Sequence, residues 1–247
     1  GQTAALSGNM KGALGILGGM GPLATVDFMQ KVIEATSAER DQDHIPILVH
    51  AVPQVPDRTE SILAGNDEPL EWMRRGADIL RDGGAECIAI PCNTAHYWHE
   101  NLVSGLSIPV LHIVDATVQA LVANDITDGA IGLLATTGTI TAGIYQDRLE
   151  ALGYKCLYPN EATQTNGVMA GIDAVKAGNF DSGRKRLETA AITLVERGCR
   201  AIVLGCTEIP IVLTADMTPA PSINFLDATN ALARAAVNWH RRVTGKT

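Results

Sequence analysis

The sequence is short of positive charge. Its 247 residues carry 19 lysines and arginines against 27 aspartates and glutamates, a formal net charge of -8. That balance argues against a nucleic-acid partner or an anionic membrane surface, but not against a small anionic substrate, which needs only local positive charge. Aromatic residues are scarce, at 4%, so a stacking platform for bases or sugars is not expected. No apolar run approaches the roughly 20 residues of a membrane-spanning helix. No Walker A stretch occurs, and Gly18-Gly19-Met20-Gly21 falls short of a full dinucleotide fingerprint. The five cysteines (Cys87, Cys92, Cys156, Cys199 and Cys206) are odd in number and form no CxxC pair. A reduced, cytoplasmic setting fits them better than a disulfide framework. His96 and His99 stand near Cys92, but no complementary Cys/His pair has structural-zinc spacing, so no metal is expected.

What is present is an alternation of strand and helix. Apolar runs at Gly12 to Gly18, Ile45 to Val52, Cys87 to Pro91, Pro109 to Val114, Gly129 to Leu134 and Ala201 to Leu204 read as strands, and Pro221 to Leu226 leads to Asp227. Thr25 to Ala38, Leu70 to Leu80, Tyr145 to Leu152, Met169 to Lys176, Leu187 to Arg197 and Leu232 to Arg242 read as helices, with Pro22 in the first turn of the first one. Pro53 to Thr59, with two prolines, reads as a stiff loop. Such alternation implies parallel sheets flanked by helices.

The pattern repeats. Gly129-Ala-Ile-Gly-Leu-Leu134 echoes Gly12-Ala-Leu-Gly-Ile-Leu17, Cys206 echoes Cys92, and Asp227-Ala228-Thr229 echoes Asp115-Ala116-Thr117. Asp115 to Thr117 is expected to cap the helix that follows it. A nearly constant offset is what a diverged duplication leaves. The expected fold is α/β, with two similar parallel-sheet domains related by a pseudo-two-fold axis. Residues 10–110 with 222–247 would form the first and 111–221 the second. Residues 1–9 read as an appended leader, with Met10 the native start.

Each repeated cysteine ends an apolar strand and opens a turn of small polar residues: Pro91-Cys92-Asn93-Thr94 and Gly205-Cys206-Thr207-Glu208. In open α/β sheets ligands bind at the carboxyl ends of strands, so the two sulfurs would face one another across an interdomain cleft. There, one thiolate can remove a proton from a stereocentre while the opposite thiol delivers one to the other face. Cys87, Cys156 and Cys199 read as small core residues.

Six collinear stretches identify the resemblance: Gly15 to Thr25, Val55 to Thr59, Pro91 to His96, Leu133 to Thr139, Val175 to Gly178 and Gly205 to Glu208. Together they resemble the aspartate/glutamate racemase family, and within it the aspartate branch. The resemblance implies a racemase that works without pyridoxal phosphate or any other cofactor, with Cys92 and Cys206 as the acid/base pair. It implies that Asn93, Thr94 and Thr207 hold the α-carboxylate and α-amino group, with Ala95 beside them. Arg58 and Lys176 would receive the side-chain carboxylate. Gln54, Asp57, Thr59, Met20 and Thr137 would line the same cleft. Cys206-Thr207-Glu208 departs from the Cys-Thr-His of glutamate racemases, which favours the aspartate branch. The partners implied are an amino-acid substrate and a second copy of the chain in a homodimer. The alternatives are a glutamate or broad-specificity racemase, a maleate isomerase or arylmalonate decarboxylase on the same fold, and a non-catalytic dicarboxylate-binding protein.

Overall fold

A computed structural model describes residues 11–214, 219–220 and 222–246. The expected leader and the start at Met10 lie outside the described residues. The first sheet holds β1 (Leu14–Gly18), β2 (Ile47–Ala51) and β3 (Cys87–Ala89), all parallel in the order β2-β1-β3. The second holds β4 (Gly129–Leu134), β5 (Tyr154–Leu157), β6 (Ala201–Leu204) and β7 (Asn224–Asp227), parallel in the order β5-β4-β6-β7. The first three strands of each half therefore share one topology, and the cysteine-bearing strand flanks the central one in both. The fold is α/β with two parallel sheets, as the alternation predicts.

In the first half α1 (Pro22–Ala35), α2 (Arg58–Ala64), α3 (Glu68–Asp82), α4 (His99–Ser104) and α5 (Ile113–Ala123) follow in order. The second half adds α6 (Thr137–Thr141), α7 (Gln146–Ala151), α8 (Glu161–Thr163), α9 (Ala170–Lys176), α10 (Phe180–Val195), α11 (Ile209–Val212) and α12 (Ala228–Thr244). One hydrophobic cluster runs between the sheets, joining Leu14 and Ile16 of β1, Phe28 and Val32 of α1, Leu121 of α5, Ile131 and Leu133 of β4, Val203 of β6 and Leu232 of α12. Two further clusters cover the outer faces, around Met73 and Leu80 of α3 and around Leu187 and Leu194 of α10. Strands buried on both faces read as continuous apolar runs, which is why they were legible.

Several expectations need correction. The run Pro109 to Val114 is no strand. Only Val110 forms a bridge, to Ile88, and helix α5 begins at Ile113. Its cap is His112, whose Nδ1 accepts the Val114 N–H, so Asp115 to Thr117 lies inside the helix. Asp227 does cap α12, accepting the Asn230 N–H at 3.0 Å. The two Asp-Ala-Thr landmarks are therefore not equivalent. Strand β7, just past residue 222, pairs with β6 in the second sheet, and α12 follows it from Ala228. There Lys31 of α1 bridges Asp27 and Asp227, at 2.6 and 2.7 Å, tying α1 to the start of α12.

Candidate active site

The site grows from the carboxyl ends of β1, β3, β4 and β6. Cys92 lies just beyond β3 and Cys206 just beyond β6, 7% and 5% exposed respectively. The elements that follow them are short: a 3₁₀ turn at Thr94–Trp98 and the single-turn helix α11. Helix dipoles therefore lend less to a thiolate here than long helices would.

Both sulfurs line one cavity of about 230 Å³, with Met20, Asp57, Arg58, Thr59, Asn93, Thr94, Lys176 and Thr207. Ten of the thirteen expected site residues thus meet in one place. Three do not. Gln54 is exposed in the turn before Val55, Ala95 is fully buried in the core beneath the Cys92 loop, and Thr136 takes the place expected of Thr137. The Thr137 N–H donates to the Met169 sulfur instead, at 3.3 Å. A larger cavity, about 610 Å³, lies between α1, α5, α12 and the end of β7 and contains neither cysteine.

Five lining residues escaped the sequence reading, Glu60, Thr136, Met169, Ile172 and Asp173, and Glu208, read there only as a departure from the glutamate branch, lines the cavity as well. Met169, Ile172, Asp173 and Lys176 lie three, four and seven residues apart, one face of a helical run. That spacing was a signal available in the sequence. A π-helical turn, Gln164–Met169, precedes α9 and is pinned where Gln164 Nε2 donates to the Ala135 carbonyl at 2.8 Å. Such turns recur at functional sites.

Hydrogen bonds prepare the polar wall. The Tyr145 hydroxyl donates to Asn93 Oδ1 at 2.5 Å, and the buried Asn93 Nδ2 has no partner among the described residues. Asn93 as a residue lines the cavity. Thr94 Oγ1 lies 2.7 Å from Thr136 Oγ1 and 3.0 Å from Thr139 Oγ1, joining the Cys92 loop to the start of α6 across the two halves. Asp57 caps α2 by accepting the Glu60 N–H at 2.9 Å. Helix α2 begins at Arg58, whose NH1 donates to the carbonyls of Val55 and Pro56 and whose buried Nε has no partner among the described residues.

The charges are arranged around Cys206. Burial pushes its thiol up to about 12; the Glu208 carboxylate adds to this and Lys176 opposes it. Lys176 Nζ sits 3.0 Å from Glu208 Oε1. Burial works against the ammonium, but Glu208 and the two sulfurs outweigh it and hold its pKa above the ordinary lysine value. Behind Cys92, the His96 ring contacts the Cys92 carbonyl at 2.7 Å through Nδ1. Burial pushes the Cys87, Cys156 and Cys199 thiols up, in keeping with core cysteines. Among the described residues, no group of three or more His, Cys, Asp or Glu side chains is placed to hold a metal ion, and no helix is long and apolar enough to cross a membrane.

This fold and cavity have known relatives. The structure of an aspartate racemase from Picrophilus torridus superposes with a TM-score of 0.81 at 28% identity, covering 95% of this chain and 98% of that one. A glutamate racemase structure from Campylobacter jejuni superposes at 0.64 with 19% identity, covering 90% and 84%, a likeness of fold. In sequence, the broad specificity amino-acid racemase RacX of Bacillus subtilis is 29% identical over 233 residues, 92% of this chain and 97% of its own. The profile of the Asp/Glu/Hydantoin racemase family matches residues 17–236. The chain belongs to the Asp/Glu/hydantoin racemase family and is an isomerase of the racemase type.

Proposed function

We propose that the protein interconverts L- and D-aspartate without pyridoxal phosphate, using Cys92 and Cys206 as the two acid/base groups. The observation that carries this reading is the shared cavity, in which sulfurs from two equivalent strand ends meet beside Arg58 and Lys176. In one direction a thiolate takes the proton from Cα. The electron pair stays on Cα as a carbanion, and the opposite thiol gives its proton to the other face. Each turnover leaves the protonation of the two sulfurs exchanged, and the reverse reaction or proton exchange with solvent restores it. Burial and Glu208 favour the thiol form of Cys206, and Lys176 beside it opposes them.

The remaining residues serve binding. The Asn93 amide and the Thr207 side chain receive the α-carboxylate, and neutralising that group lowers the cost of the adjacent carbanion. Arg58, which lines the cavity, meets the side-chain carboxylate with its guanidinium. The likeness to the Picrophilus torridus aspartate racemase supports aspartate as substrate. The homodimer comes with the family resemblance; light scattering on the full chain should give twice the chain mass, and a monomer would remove this part of the reading.

Cys92→Ala and Cys206→Ala, made separately, decide the mechanism. Each should lose about 10²–10⁴-fold in racemisation, the usual worth of a general acid or base. Normal turnover in either variant would exclude the two-thiol route. In deuterium oxide, single-enantiomer aspartate should yield the opposite enantiomer carrying deuterium at Cα. Decarboxylated or unsaturated products would point instead to the decarboxylase or isomerase chemistry of the same fold.

A further inference from the structure

The resemblance makes Lys176 a free cation awaiting the substrate's side chain. The structure has it already engaged. Its Nζ is 3.0 Å from Glu208 Oε1, and the two side chains differ sharply in exposure, 39% for Lys176 and 5% for Glu208. The carboxylate is thus fixed and poorly screened by water, while the ammonium reaches into the cavity from the end of α9. Gly21 makes room for the pair: a Cβ there would lie 3.3 Å from Lys176 Nζ and 3.7 Å from Glu208 Oε2. Arg58, the other cation of the cavity, has no carboxylate partner among the described residues; its NH1 is spent on two carbonyls. Of the four carboxylates lining the cavity, Asp57, Glu60 and Asp173 are exposed and only Glu208 is buried.

We propose that Glu208 sets side-chain specificity by holding Lys176 in an ion pair, so that an acidic substrate reaches this cation only by sharing it, and amino acids with uncharged side chains are admitted alongside aspartate. The inference rests on the racemase reading above and refines its substrate range. A substrate carboxylate entering beside Arg58 gains that guanidinium, but it meets a lysine whose charge is largely answered and a buried like charge beyond it. An uncharged side chain forgoes the guanidinium and leaves the Lys176–Glu208 pair intact, so no buried charge is stranded. The selectivity between the two classes is therefore modest. Removing the negative charge while keeping the hydrogen-bonding shape should sharpen it.

The test is Glu208→Gln in the full chain, with kcat and KM for L-aspartate and L-alanine measured against the native enzyme. The ratio of kcat/KM for aspartate over alanine should rise at least about tenfold, which is about 1.4 kcal/mol, mainly through a lower KM for aspartate. Adding Lys176→Met should abolish the gain. A ratio that stays level or falls overturns the proposal, even though the racemase reading would stand. Calorimetric titration with L-aspartate reads the same effect without turnover: tighter binding to the Gln variant supports the proposal, and equal or weaker binding overturns it. This arm decides the role of Glu208 even if the native protein racemises neither amino acid, a result that would sink the racemase reading. Should the Gln variant fail to fold, Lys176→Met alone decides. It leaves Glu208 unanswered, so aspartate should lose far more kcat/KM than alanine; equal losses overturn the proposal.

Discussion

Asn93 depends on a residue 52 positions away. Its amide orientation is set by the Tyr145 hydroxyl, which donates to Oδ1. Burial pushes the Tyr145 phenol up, so it stays a donor across the working range. Tyr145→Phe keeps the ring and its packing and removes only this bond. The folded state should lose about 1 kcal/mol, the net worth of one buried hydrogen bond. KM for the amino acid should rise several-fold, because Asn93 is freed to rotate. Unchanged kinetics would mean that Asn93 does not touch the substrate. Cys92 and Cys206 were legible because each sits where an apolar run gives way to small polar residues, a local signal repeated twice. Tyr145 was not, since a hydrogen bond across 52 residues leaves no pattern in either segment.

At the level of elements, the site depends on how closely α2 and α6 approach. A Cβ on Gly138 would come within 2.7 Å of Thr59 Oγ1 and 2.9 Å of Thr59 Cα. Backbone and side chain alike would have to move. Gly138→Ala should therefore cost about 1–3 kcal/mol, the range for overpacking, read as a lowered thermal midpoint. It should also displace Arg58, the neighbour of Thr59, and weaken aspartate more than alanine. A native melting curve would show that the two helices do not meet so tightly. Helix α2 escaped the sequence reading because two prolines made Pro53 to Thr59 look like loop throughout. Those prolines end at Pro56, and Asp57 caps a helix from the very next residue. The run Pro109 to Val114 misled in the opposite sense. Its apolar residues suit a strand, but the chain pairs there only around Ile88, which donates to the Pro109 carbonyl and accepts from Leu111 N–H before the helix begins. Pairing of that extent depends on the neighbouring strand's length, and β3 is only three residues long.

Across the whole molecule, three histidines lie where the Cys92 loop, α4 and the start of α5 converge. His96 and His112 ring centroids are 5.0 Å apart, and those of His99 and His112 4.6 Å. Burial lowers the pKa of His96 to about 3 and of His112 to about 2, with neighbouring imidazoles and Arg148 adding to the effect. Both therefore stay neutral in the folded protein near neutral pH, where the unfolded chain would hold them near the ordinary value of about 6.5. The sign follows. As pH falls below about 6.5 the unfolded chain takes up protons that the folded one refuses, so stability declines on acidification. Each histidine contributes a slope of up to about 1.4 kcal/mol per pH unit between about pH 6 and pH 4. His112→Asn isolates one of them. Asparagine is a good helix cap, so it can accept the Val114 N–H in place of Nδ1 while carrying no titratable group. Denaturant unfolding measured from pH 7 to pH 4 should then show a shallower loss of stability by about one proton's worth, with stability at pH 7 nearly preserved. An unchanged slope would mean that His112 titrates alike in both states and is not held neutral by the fold.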